Sequence, residues 1–129
     1  MMGLFAVRVR VFALDDPRRG RNLEMVVDTG AMYCVVPRDV LESLGIRPER
    51  RKTFTLADGR SITRDVGWAG LEYGGDDTHA LVVFGDEGDA PLFGAFALEG
   101  LGLEVDPSHG VLRPARLWLL AASASPATA

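Results

Sequence analysis

Met25-Val26-Val27-Asp28-Thr29-Gly30-Ala31 ends an apolar run in a carboxylic acid. A carboxylate at the end of a buried strand is costly unless something supports its charge. The next two residues indicate the support. Gly30 permits a sharp turn and a close backbone approach, so its amide can donate to an Asp28 oxygen. The Thr29 hydroxyl is available to tie the loop in place. Taken alone, the tripeptide also fits a capping or turn aspartate. Its frame narrows the choice, because a second apolar pair, Val35-Val36, follows closely and ends in Pro37.

Outward from this stretch the chain reads as short strands. Phe5, Val7, Val9 and Val11 alternate with Ala6, Arg8 and Arg10, the period-2 pattern of a half-buried strand. Asp15-Asp16-Pro17-Arg18-Arg19-Gly20 is a turn cluster, and residues 23–27 form the strand that runs into Asp28. Residues 37–44 predict a short helix with Pro37 at its first position, Val40, Leu41 and Leu44 on one face, and Gly45 closing it. The basic cluster 47–52 reads as a solvated connector. Asp58-Gly59 between residues 53–57 and 61–66 is a hairpin signal. Residues 68–73 and 79–84 are further strands on either side of Gly74-Gly75-Asp76-Asp77, and an acidic glycine-rich loop, 85–90, follows. Pro91-Leu92-Phe93-Gly94 leads into a second helix over 95–101, closed by Gly100 or Gly102. Leu103-Glu104-Val105 and residues 111–120 are the last strands, with Pro114 restricting the final one to an edge. The expected fold class is therefore all-β, with one or two short helices.

The 129 residues suit one domain, expected over 1–120, with an Ala/Ser/Pro/Thr tail at 121–129 expected to be flexible. Hydrophobic residues make up 47% and charged residues 25%, as in ordinary globular chains. A net charge of −4 argues against nucleic acid as a main partner, since phosphate binding needs a basic surface. The single cysteine, Cys34, excludes an intrachain disulfide. The start lacks the basic-then-apolar pattern of a signal peptide, and the late apolar run 117–122 is too short to span a bilayer. A cytoplasmic location, without a membrane partner, is the expectation.

Val26-Val27-Asp28-Thr29-Gly30-Ala31, followed by Val35-Val36-Pro37, resembles the active-site signature of retroviral-type (retropepsin-like) aspartic peptidases. Pro91-Leu92-Phe93-Gly94 resembles that family's second element, two apolar residues and a glycine before a helix. Residues 98–107 look like the helix-and-strand ending of bacterial relatives, and Leu56-Ala57-Asp58-Gly59-Arg60 lies where the family places its flap. The resemblance implies a small closed barrel-like domain that is one half of an enzyme. Hydrolysis by carboxylates needs two of them around one water, one as general base and one protonated to polarise the scissile carbonyl. The chain has one Asp-Thr-Gly, so the second acid is expected from Asp28 of another copy in a two-fold homodimer.

By the same resemblance Asp28 is catalytic, Thr29 locks the two active-site loops together across the axis, and Gly30 and Ala31 complete the loop. Leu56, Ala57, Asp58, Gly59 and Arg60 form the flap over an extended peptide or protein substrate. Val82, Phe84 and Leu92 are candidates for apolar subsites, with plain core as their other reading. Three features depart from the viral pattern: Ala95 replaces a charged residue that braces the dimer, the flap tip carries one glycine between charges, and Pro114 interrupts the terminal strand. These departures keep open a non-catalytic dimerisation or peptide-binding module on the same fold; a fragment that processes only its own precursor is a third alternative.

Other constellations carry less. His79 and His109 have no partners at metal-ligand spacing, so neither a metal nor another cofactor is expected. Cys34 reads as a buried core thiol. Asp86-Glu87-Gly88-Asp89 is too short for a calcium loop and reads as a solvated turn. Gly70, Gly74 and Gly75 follow no strand-to-helix pattern, so no phosphate cradle is indicated.

Overall fold

The structure is a computed structural model and describes residues 4–119. The expected tail, 121–129, lies outside the described residues. Among the described residues nine strands and two short helices follow one another as β1 (Ala6–Phe12), β2 (Gly20–Val27), β3 (Cys34–Pro37), α1 (Arg38–Ser43), β4 (Arg50–Thr55), β5 (Ser61–Tyr73), β6 (Asp76–Gly85), β7 (Leu92–Phe93), α2 (Ala95–Gly100), β8 (Leu103–Asp106) and β9 (Val111–Pro114). Seven strands form one sheet in the order β1-β2-β7-β3-β6-β5-β4, and a further β1–β5 pairing closes it into a barrel-like ring. The chain is mostly β, as the alternating patterns predict.

Burial follows the alternation. On β1, Val9 and Val11 are fully buried, and around them Met25, Val36, Leu41, Leu71, Phe84 and Phe93 form one core. β2 runs antiparallel to β1 but parallel to β7, with Val26 opposite Leu92 and Val27 opposite Phe93. β3 is parallel to β6 and antiparallel to β7, where Val35 lies opposite Leu92. Both chain segments that leave β2 and enter β3 are thus anchored on the two-residue strand β7.

Closure depends on β5. Its second half pairs with β6, while residues 70–72 also pair with β1. Gly70 makes this possible, because a Cβ there would strike the Phe12 ring. The turn into β6 uses Gly74 and Gly75 at φ of 62° and 84°, so both residues adopt the left-handed backbone that a two-residue hairpin requires.

Four sequence expectations need correction. The basic connector is half strand, since β4 begins at Arg50 and pairs Arg51 with Asp65 and Lys52 with Arg64. Edge-strand cations are tolerated by solvent, and here they mask the period-2 signal. The two strands expected over 61–66 and 68–73 are one, since Gly67 continues the ladder opposite Val82. Pro37 ends β3 and caps α1 with ψ of 135° rather than entering the helix. The last strand stops at Pro114, which sits opposite Leu103 at the end of the two-stranded β8–β9 sheet. Among the described residues no helix is long and apolar enough to cross a membrane.

Candidate active site

Asp28 follows the last residue of β2 and is half-buried. Its N–H donates to the Phe93 carbonyl at 3.1 Å, and the Val27 N–H donates to the Phe5 carbonyl at 2.9 Å. The strand end is therefore held from both sides. The Gly30 N–H donates to Asp28 Oδ1 at 2.9 Å, and the Ala31 N–H closes the turn on the Asp28 carbonyl at 3.2 Å. Thr29 is exposed, and among the described residues its hydroxyl has no hydrogen-bond partner within the chain. The tie expected from that hydroxyl within its own loop is absent.

The loop after Asp28 is braced by α2. Ala95 N–H donates to the Ala31 carbonyl at 2.8 Å and Phe96 N–H to the Met32 carbonyl at 3.0 Å. Gly94 permits this approach, because a Cβ there would stand 2.5 Å from the Tyr33 carbonyl oxygen and 2.8 Å from that of Ala31. Its N–H also points at Cys34 Sγ, 3.3 Å away. Burial pushes the Cys34 thiol up to about 11, opposed in part by that N–H. Cys34 is thus protonated at neutral pH and is no nucleophile.

An open cleft of about 470 Å³ lies beside Asp28 and Thr29, walled by Leu4, Phe5, Val27, Val105 and Pro107. Of these walls only Val27 belongs to the active-site signature of the sequence. They come from three distant segments, and nothing in their local patterns separates cleft from core. The expected subsite residues divide. Val82 and Phe84 are fully buried and belong to the core, Phe84 beneath the Arg38 guanidinium, so in this structure neither presents a surface to substrate. Two residues apart on β6, they share the face of the strand that turns into the hydrophobic core. Leu92 is half-buried and sits in register with Val26, two residues before Asp28.

The hairpin of β4 and β5 ends in a turn. Gly59 N–H donates to the Leu56 carbonyl at 2.9 Å, Leu56 N–H to the Arg60 carbonyl at 2.7 Å, and Gly59 has φ of 88°. Asp58 accepts from the Arg60 N–H at 3.0 Å and from Arg60 Nε at 2.6 Å, and these bonds lower its pKa. Below the tip, Tyr33 packs edge-on against Phe54 of β4 and Phe96 of α2, with ring centroids 5.8 Å and 5.3 Å apart. This cluster joins the hairpin to the loop that follows Asp28, a contact with no signature in the linear sequence. His79 and His109 lie near single aspartates, and among the described residues no group of three or more His, Cys, Asp or Glu could hold a metal ion.

A barrel with one Asp-Thr-Gly loop, a two-residue strand beneath it and a hairpin bound to it by aromatic contacts defines a retropepsin-like acid-peptidase fold. The comparisons agree. The family model described as aspartyl protease matches residues 14–95. The solution structure of simian foamy virus (mac) protease is similar over 73% of this chain and 91% of that one, at 20% identity and a TM-score of 0.52, and it shares the fold. No curated protein matches the sequence. The chain belongs to the aspartyl protease family, hydrolases of peptide bonds.

Proposed function

We propose that the chain is an aspartic endopeptidase that works as a homodimer, with the two Asp28 carboxylates sharing one water. The observation that carries this reading is the 2.9 Å bond from the Gly30 amide to Asp28 Oδ1, at the end of a strand buried within the family's frame. One Asp28 takes a proton from the water as its oxygen attacks the scissile carbonyl. The other, protonated, donates to the carbonyl oxygen. Collapse of the tetrahedral intermediate returns a proton to the leaving amine. Two close carboxylates titrate as a pair, since both cannot ionise together.

The remaining parts have matching roles in this reading. The exposed Thr29 hydroxyl, without a partner among the described residues, bonds across the two-fold axis to its mate. Gly30 and Ala31 hold the loop in shape. The apolar wall of Leu4, Phe5, Val105 and Pro107 beside Thr29 is covered by the second copy. Leu56, Ala57, Asp58, Gly59 and Arg60 close over an extended peptide, exclude water and offer backbone hydrogen bonds. Leu92 contributes to an apolar subsite.

Cleavage of a mixed peptide library between about pH 4 and 7 tests the reading. Asp28→Asn keeps the shape of the side chain and removes its titration. It should lower the rate by about a hundredfold or more while leaving the circular dichroism spectrum unchanged. Specific activity of the wild type should rise with protein concentration to a plateau. Equal, negligible cleavage by both proteins would instead favour a dimerisation or peptide-binding module, the reading to which Ala95 and the charged hairpin tip lend themselves.

A further inference from the structure

The β4–β5 hairpin is a cantilever. Residues 61–65 of β5 pair only with β4, and the ladder to β6 starts at Val66 opposite Val83. Below the Phe54–Tyr33 contact, the hairpin's position therefore depends on side chains. One of them reaches across 25 residues of sequence: Arg64 grips Asp89 with Nε at 2.9 Å from Oδ2 and Nη2 at 3.3 Å from Oδ1. Its Nη1 lies 3.4 Å from Asp86 Oδ2. The Arg64 and Asp89 side chains are 17% and 27% exposed, so this pair is better shielded than an ordinary surface bridge.

Asp89 is itself fixed. Its Oδ2 accepts the Asp86 N–H at 2.8 Å, and its own N–H donates to the Asp86 carbonyl at 2.9 Å. Two residues later the Pro91 carbonyl accepts the Val26 N–H at 2.9 Å, and the Phe93 carbonyl accepts the Asp28 N–H at 3.1 Å. A short, bonded path thus links the root of the hairpin to the backbone that carries Asp28. On the opposite strand Arg64 faces Lys52, a like charge directly across the ladder. Such an arrangement is unfavourable without nearby acid, and Asp89 and Asp86 supply it. The neighbouring acid, Asp65, is engaged elsewhere, by Arg38 at 2.7 Å and Arg51 at 3.1 Å, and Arg38 comes within 4.0 Å of Asp86.

We propose that Arg64 and Asp89 are positioning residues that latch the hairpin over the Asp28 site. This rests on reading the hairpin as the flap of a peptidase. Substrate enters when the hairpin lifts, and lifting separates the guanidinium from the carboxylate. The latch therefore sets the fraction of molecules closed over substrate. It touches neither the water nor the scissile bond.

Two readouts test it. Amide hydrogen exchange along the β4–β5 ladder, which frays once its root is released, requires no substrate. Arg64→Met and Asp89→Asn should each accelerate that exchange by about three- to tenfold, the range for a partly shielded bidentate pair. Arg64→Lys should fall between, since it keeps the charge and loses the fork. The double charge swap Arg64→Asp with Asp89→Arg should return exchange toward the wild-type rate. In peptide cleavage the single variants should raise KM by a similar factor with kcat held within about twofold. Unchanged exchange in both single variants, or a double swap no slower than the singles, would overturn the latch. A wild type that cleaves nothing while its variants still show faster exchange would overturn the peptidase reading and leave the latch standing.

Discussion

Gly94 shows how little freedom single positions near Asp28 have. The missing side chain lets α2 donate two backbone N–H groups to the loop that follows the acid. Gly94→Ala should destabilise the fold by about 1–3 kcal/mol, the usual range for overpacking against fixed backbone. Urea unfolding would measure the loss, and a midpoint equal to wild type would show that the loop yields. The contact between Gly30 and Asp28 was legible from neighbouring residues, since a glycine two positions on can only turn back locally. The clash that excludes a side chain at Gly94 was not, because Tyr33 lies 61 residues away in sequence (94 minus 33).

At the scale of elements, the β4–β5 hairpin divides the same way. Asp58-Gly59 marked its turn, and Gly59 indeed takes φ of 88° with nothing within 4 Å of an added Cβ. Gly59→Ala should therefore cost about 1 kcal/mol from backbone strain alone, read as a small fall in melting temperature. A loss of several kcal/mol would mean that the tip packs against something, contrary to its open surroundings. The extent of the hairpin was less legible. Arg50, Arg51 and Lys52 look like a solvated run, yet they form a strand because Asp65 offsets Arg51 and solvent covers the outer edge. The acidic turn 86–89 likewise reads as a solvated turn, while its two aspartates meet Arg64. Long-range ion pairs leave no local periodicity to detect.

Over the whole molecule, several aspartates are held below their ordinary range: Asp65 by its bond to Arg38, Asp89 by its bond to Arg64, and Asp106 by its bond to His109. A depressed carboxylate stabilises the fold fully above its unfolded value, near 3.8, and that contribution disappears as pH falls through the lower folded value. The melting temperature should thus hold level between about pH 7 and 5 and fall steeply below about pH 4. The Arg64–Asp89 latch should survive through the same upper range. Thermal scans across pH check this, and a melting temperature that stays flat below pH 3 would contradict the assigned pairs.

The chain's linear pattern was enough to announce strands, the supported acid at Asp28, the hairpin turn and a class of β fold, because each rests on residues within a few positions of one another. Ring closure through Gly70, the withdrawal of Val82 and Phe84 into the core, the apolar wall beside Thr29 and the grip of Arg64 on Asp89 came only from assembly. Each joins segments far apart along the chain, and which distant surfaces meet is set by the packing of the barrel as a whole.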